Sequence, residues 1–235
     1  MGSARRGELI KIMPEILLIG VNHLDITAPE KLAKVLEDFS PDTILLEGSE
    51  SKFRAQEIYI DELRRLIREG IIPEIQGEIF LEDQEIRRYE ARTAMQYGEG
   101  KDVDIDYLND SFERLSPGRI REEVQRIYTQ YNDHPNPEKL REVVMTERSK
   151  VKVYMKALEL VIKLEGEEKA VKMLSPRNHI HVGDRDGLME KALRSKLEGK
   201  RLCSITGLNH ILRNEKNNSL FCRIEDLNPG RKFLW

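Results

Sequence analysis

Glu15-Ile16-Leu17-Leu18-Ile19-Gly20, continued by Val21-Asn22-His23, is the stretch on which the fold reading turns. A short apolar run closed by glycine has no polar face, so it reads as a central strand covered on both sides. Pro29 then opens a helix through Phe39, with Leu32, Val35, Leu36 and Phe39 at helical spacing and the proline suited to a first turn. Ser40-Pro41-Asp42 breaks the helix, and Thr43-Ile44-Leu45-Leu46 is a second buried strand ending at Glu47-Gly48. These segments form a β-α-β unit, and the handedness of such units favours a parallel pair.

The pattern changes downstream. Leu, Ile, Val and Tyr recur at steps of three and four over about residues 50 to 69, 83 to 97, 117 to 131 and 137 to 164, which reads as helix among many charges. Val103-Asp104-Ile105-Asp106-Tyr107 interrupts them as a strand, and Asn132-Asp133-His134-Pro135-Asn136-Pro137 is the clearest turn. Gly183-Asp184-Arg185-Asp186 then precedes a helix running to about Leu197. Leu202-Cys203-Ser204-Ile205-Thr206 and Ser219-Leu220-Phe221-Cys222-Arg223-Ile224 read as the last two strands. The expectation is an α/β chain forming one domain over about residues 8 to 235, in which about 50 to 175 is a mainly helical insertion or cap.

With 235 residues, 39% of them apolar, and 39 Lys+Arg against 42 Asp+Glu, the chain reads as a globular protein with a solvated charged surface. A formal net charge of -3 offers no general case for nucleic-acid binding. No apolar run approaches the roughly 18 to 20 residues that span a bilayer, and no apolar signal core follows Arg5 and Arg6, so the expected compartment is the cytoplasm. Cys203 and Cys222 read as two reduced, buried thiols.

The chemistry-bearing signal is a repeat. Gly20-Val21-Asn22-His23 returns as Gly207-Leu208-Asn209-His210, each directly after a strand-like run. The glycine allows a sharp turn, Asn22 and Asn209 can hydrogen-bond their own loop or a ligand, and each histidine supplies a nitrogen ligand or a proton carrier near neutral pH. In an open α/β sheet, ligands bind beyond the carboxyl ends of the strands. His23, Glu47 and His210 all stand there, and if their strands are neighbours they make a His₂Glu set suited to a catalytic divalent metal with one position open for water.

Blander readings compete. Each histidine alone is a loop hydrogen-bonder, and Glu47 a helix-start residue salt-bridged to Arg54. His179-Ile180-His181, with Asp184 as a third ligand, is the rival metal motif, while His134 is simply exposed in its turn. Arg185 and Asp186 either start and cap the following helix, or Arg185 binds a substrate carboxylate or an oxyanion. Serine-hydrolase elbows, phosphate-binding loops and His-Glu-x-x-His helices are absent.

In this order the motifs resemble those of the TraB/TIKI superfamily, which also takes in erythromycin-esterase-like and ChaN-like proteins. The matching positions are Gly20 to His23, Pro41-Asp42 leading to Glu47, Arg185-Asp186-Gly187-Leu188-Met189, and Gly207 to His210. The resemblance implies a central mixed β-sheet flanked by helices, and a site built from His23, Glu47, Arg185 and His210. TIKI-like members are metal-dependent proteases, and erythromycin-esterase-like members use a histidine as general base. The chain departs from TraB proteins in lacking C-terminal membrane helices and from TIKI proteins in lacking a signal peptide.

The expectation is therefore a metal-dependent, peptidase-like hydrolase acting on a peptide or small-molecule substrate. His23, Glu47 and His210 hold Mn²⁺ or Zn²⁺, Glu47 and Arg185 serve catalysis, and Asn22, Asn209 and Arg185 bind substrate. A metal-independent, esterase-like hydrolase is the alternative, and a non-catalytic peptide- or haem-binding sensor is the third reading. Neither nucleic acid nor membrane is an expected partner. The amphipathic helices of the middle serve equally as a cover for the site or as the face of a homodimer.

Overall fold

A computed structural model describes residues 14–23, 25–108, 116–131, 136–174, 182–198 and 200–235. The chain begins as read: β1 (Glu15–Val21), α1 (Ala28–Phe39) and β2 (Thr43–Leu46). Asp25 sets the entry to α1, its Oδ1 accepting from both the backbone N–H and the hydroxyl of Thr27. Ser40 ends the helix in the left-handed region at φ 48°.

Helices α2 (Glu50–Arg68), α3 (Glu74–Ile86) and α4 (Tyr89–Gly98) follow, then β3 (Asp104–Tyr107), α5 (Pro117–Tyr131), α6 (Pro137–Glu165), α7 (Glu167–Leu174) and α8 (Val182–Arg194). The chain closes with β4 (Arg201–Gly207), the one-turn helices α9 (Leu208–Ile211) and α10 (Leu220–Arg223), and β5 (Gly230–Phe233).

The strands form one sheet in the order β3-β2-β4-β1-β5. All of its pairings are parallel, so this is an α/β fold with a parallel sheet, where the family resemblance implied a mixed one. β1 and β2 are parallel as expected, but β4 lies between them, with Leu17 opposite Cys203 on one side and Leu46 opposite Ile205 on the other. Asp42 ties the start of that arrangement, its Oδ2 accepting from the Arg201 N–H at 2.8 Å.

Alternate residues of the central strands enter two different cores. Ile19, Val21, Ile44, Leu46, Cys203 and Ile205 pack with α1 and α4, whereas Ile16, Leu18, Leu45 and Leu202 pack with α8 and α10. Covering on both faces is why β1 and β2 are written as continuous apolar runs. It also sets how the helix-rich middle relates to the sheet: β3 extends the sheet beside β2, and α4 packs on α1.

Two sequence expectations are corrected. Ser219–Ile224 is not a strand, because Leu220, Phe221 and Ile224, spaced by one and three, all enter the α8-side core, a spacing that belongs to a helical turn. The last strand is instead β5, whose Gly230-Arg231-Lys232-Phe233 carries no apolar alternation, since it is an edge strand paired only with β1. Cys203 is buried in β4, Cys222 lies partly buried in α10, and both are free thiols. Among the described residues no helix is long and apolar enough to cross a membrane.

Candidate functional site

The strand order makes β2, β4 and β1 neighbours, so the residues that follow their carboxyl ends are brought together. Glu47 continues the ladder past β2, its N–H donating to the Ile205 carbonyl at 3.0 Å, and Gly48 at φ 125° then turns the chain into α2. His23 stands in the turn after β1, and His210 sits in α9 directly after β4. Arg185 comes from the first turn of α8.

Glu47 is the hub. Its Oε2 accepts from the Gly207 backbone N–H at 2.5 Å. Its Oε1 is 2.8 Å from Arg185 Nη2 and 3.5 Å from His210 Nε2. Burial works against the charge of this carboxylate, but His210, Arg185 and His23 outweigh it and hold the group well below the usual carboxylate range. Arg54, the alternative partner, pairs with Glu50 on its own helix.

Each imidazole has a carboxylate behind it. His210 Nδ1 is 2.5 Å from Asp186 Oδ1, one residue along α8 from Arg185. Burial opposes protonation of His210, yet Asp186 and Glu47 on its two nitrogens overcome that and lift its pKa to about 9. Asp186 is itself fully buried, and burial raises its carboxyl against the pull of His210. His23 Nδ1 is 2.6 Å from Glu90 Oε1. Here too burial disfavours the cation, while the hydrogen bond and charge of Glu90 shift the balance upward. In the tautomer that donates Nδ1–H to Glu90, the neutral ring leaves the Nε2 lone pair for the site.

Gly207 marks where these groups converge. A Cβ built there would stand 3.3 Å from Glu47 Oε2, 3.6 Å from His23 Nε2 and 3.7 Å from His210 Cδ2. The space opens into a cavity of about 470 Å³, within the range of small-molecule sites. Asn22, Asn209 and Arg185 line it with both histidines and Glu47, and Val21, Leu174 and Leu208 supply apolar wall. Asn22 is partly committed to structure: its Nδ2 donates to Met155 Sδ at 3.2 Å and its carbonyl accepts from the Tyr89 hydroxyl.

All four expected site residues, His23, Glu47, Arg185 and His210, thus share one cavity, and both asparagines reach it. Glu90 and the pairing role of Asp186 were not foreseen. Glu90 is one of many glutamates in the helical middle, and only its place between Tyr89 and Ala91, all three buried, distinguishes it. In the sequence Asp186 reads as a helix-start residue, and its chemistry appears only once α8 packs beside α9. His134, His179 and His181 lie outside the described residues.

In this arrangement both oxygens of Glu47 are engaged, by Arg185 and by the Gly207 N–H, and the carboxylates of Asp186 and Glu47 favour the protonated form of His210, while the anchored Nδ1 atoms are an arrangement that also suits histidine metal ligands. Among the described residues no three His, Cys, Asp or Glu side chains are grouped to hold an ion. Comparison with known proteins found no matching family model, no matching curated protein and no matching solved structure.

Proposed function

We propose that this chain is a hydrolase of small acyl compounds, cleaving an ester or amide bond without a metal, and that it belongs with the TraB/TIKI superfamily through its erythromycin-esterase-like side. The observation that carries the reading is the pair of carboxylate-anchored imidazoles, His23–Glu90 and His210–Asp186, set around the space above Gly207.

The roles follow from what each group can still do. Glu47 is too firmly ionised to be an effective base, so it serves as the anion that orients Arg185. His210, charged below about pH 9, helps to balance it. His23, half-exposed and with Nε2 facing the cavity, is the group able to exchange a proton with a bound water. In the step it supports, Nε2 takes a proton as the water oxygen bonds to the acyl carbon, and the guanidinium of Arg185 meets the developing oxyanion. Collapse of the tetrahedral species breaks the bond to the alcohol or amine, which leaves with the proton from His23.

Turnover of a panel of nitrophenyl esters and anilides, measured with and without chelator alongside metal analysis, tests this reading. Chelator-resistant hydrolysis that disappears in His23→Ala and Arg185→Met is the expected result. Hydrolysis abolished by chelator and restored by Mn²⁺ or Zn²⁺ would replace this chemistry with metal-activated water on His23, Glu47 and His210. No turnover of any ester or anilide would remove the hydrolase reading.

A further inference from the structure

Among the described residues, helix α6 packs against the rest of the chain through one of its sides. Met155 and Leu158 are buried with Ala170 and Val171 of α7 and Leu208 of α9. On the opposite side Val143, Thr146, Lys150, Val153, Ala157 and Leu160 recur at alternating steps of three and four, the spacing of a coiled-coil seam. All six are exposed, Val143 at 59%, Val153 at 69% and Leu160 at 56%, and Leu164 continues the series at 74%. A stripe whose members step by 3.5 residues on average faces one direction along the whole helix, about 25 Å from Val143 to Leu160.

We propose that this seam joins two copies of the chain, their α6 helices packed antiparallel about a two-fold axis near residues 151 and 152. A parallel pair would set Lys150 against the second copy's Lys150 in one layer of the seam, because like positions meet in that arrangement, whereas the antiparallel pair staggers the two lysines into neighbouring layers and faces each with a valine. Antiparallel packing sets Val143 against the second copy's Leu160, Thr146 against its Ala157 and Lys150 against its Val153. Leu164 meets the aliphatic stem of the second copy's Lys139. The flanking charges agree with the same register. Glu142 and Lys163, both exposed beside the seam, face each other across it, and the two-fold axis places one such pair at each end. Lys163 is 2.7 Å from Glu159 on its own helix, and that contact is compatible with a shared Glu142. The interface is independent of the hydrolase reading, because no residue of the seam lines the cavity at Gly207.

Sedimentation equilibrium of the full chain tests the proposal. The wild type is expected to associate as a dimer with a melting temperature that rises with protein concentration, and Leu160→Glu to sediment as a monomer with unchanged circular dichroism and a melting temperature independent of concentration. E142K and K163E each set like charges at both ends and should weaken the dimer by about tenfold. Combining E142K with K163E reverses both partners together and should restore the wild-type dissociation constant. A monomeric wild type, singles that associate as well as the wild type, or a double swap no better than the singles would overturn the antiparallel seam.

Discussion

His23 Nδ1 and Glu90 Oε1 lie 2.6 Å apart across 67 residues of sequence, one group delivered by the sheet and the other by α4. The neighbouring Tyr89 hydroxyl donates to the Asn22 carbonyl at 3.2 Å, so two consecutive residues of α4 hold the loop that carries the histidine. The helix-rich middle is thereby part of the site and not merely a cover over it.

Replacing Glu90 by Gln keeps the shape and removes the charge. Because the carboxylate favours the imidazolium, E90Q is expected to lower the pKa of His23, and NMR titration of the ring reads it directly. The acidic limb of any pH–rate profile should move to lower pH with it. A His23 titration identical in wild type and E90Q would show that Glu90 does not govern the ring.

His210 links the site to stability. Its folded pKa of about 9 stands above the ordinary 6.5, so the folded state holds the proton more tightly than the unfolded chain. That contribution is fully present below about pH 6.5 and is lost as pH rises through 9. His210→Gln leaves Asp186 and Glu47 buried without the cation between them and should cost about 3–5 kcal/mol at neutral pH. Denaturant titrations at several pH values should show the gap between wild type and H210Q closing toward pH 9, and a gap that widens there would refute the linkage.

Much of this was legible in the sequence, and the failures have physical causes. β1, α1 and β2 were readable because each obeys one local rule: an apolar run, a helical period with a first-turn proline, a second apolar run. Convergence of His23, Glu47 and His210 required β4 to lie between β1 and β2, which no local pattern states. β5 is hidden because an edge strand need not be apolar, and α10 reads as a strand because four residues are too few to separate period 2 from period 3.6. Glu90 and Asp186 are partners through space alone.

The two glycines of the repeat turn out to do different work. Gly20 lies inside β1, at no positive φ, and a Cβ there would stand 2.4 Å from Ile211 Cδ1 and 3.0 Å from Leu208 Cδ2. It is small so that α9, which carries His210 between those two residues, can seat on the strand. Gly20→Ala is expected to destabilise by about 1–3 kcal/mol through overpacking. Thermal denaturation checks this, and a melting temperature equal to wild type would mean that Ile211 rotates aside at no cost.

Gly207 is small for the chemistry instead. At φ -58° its backbone suits any L-residue, and the heavy atoms nearest an added methyl belong to Glu47, His23 and His210 around the cavity floor. Gly207→Ala should therefore fold with a melting temperature close to wild type while filling the space in which the three groups converge. If a water reacts there, hydrolysis falls by about 10²-fold, since displacement of a reacting atom by about an ångström is enough for such a loss. The contrast with Gly20→Ala separates the two roles: Gly20→Ala should lose stability, whereas Gly207→Ala should keep stability and lose activity. Full turnover in a well-folded Gly207→Ala would move the reacting position away from this glycine, and with it the assignment of His23 as the base.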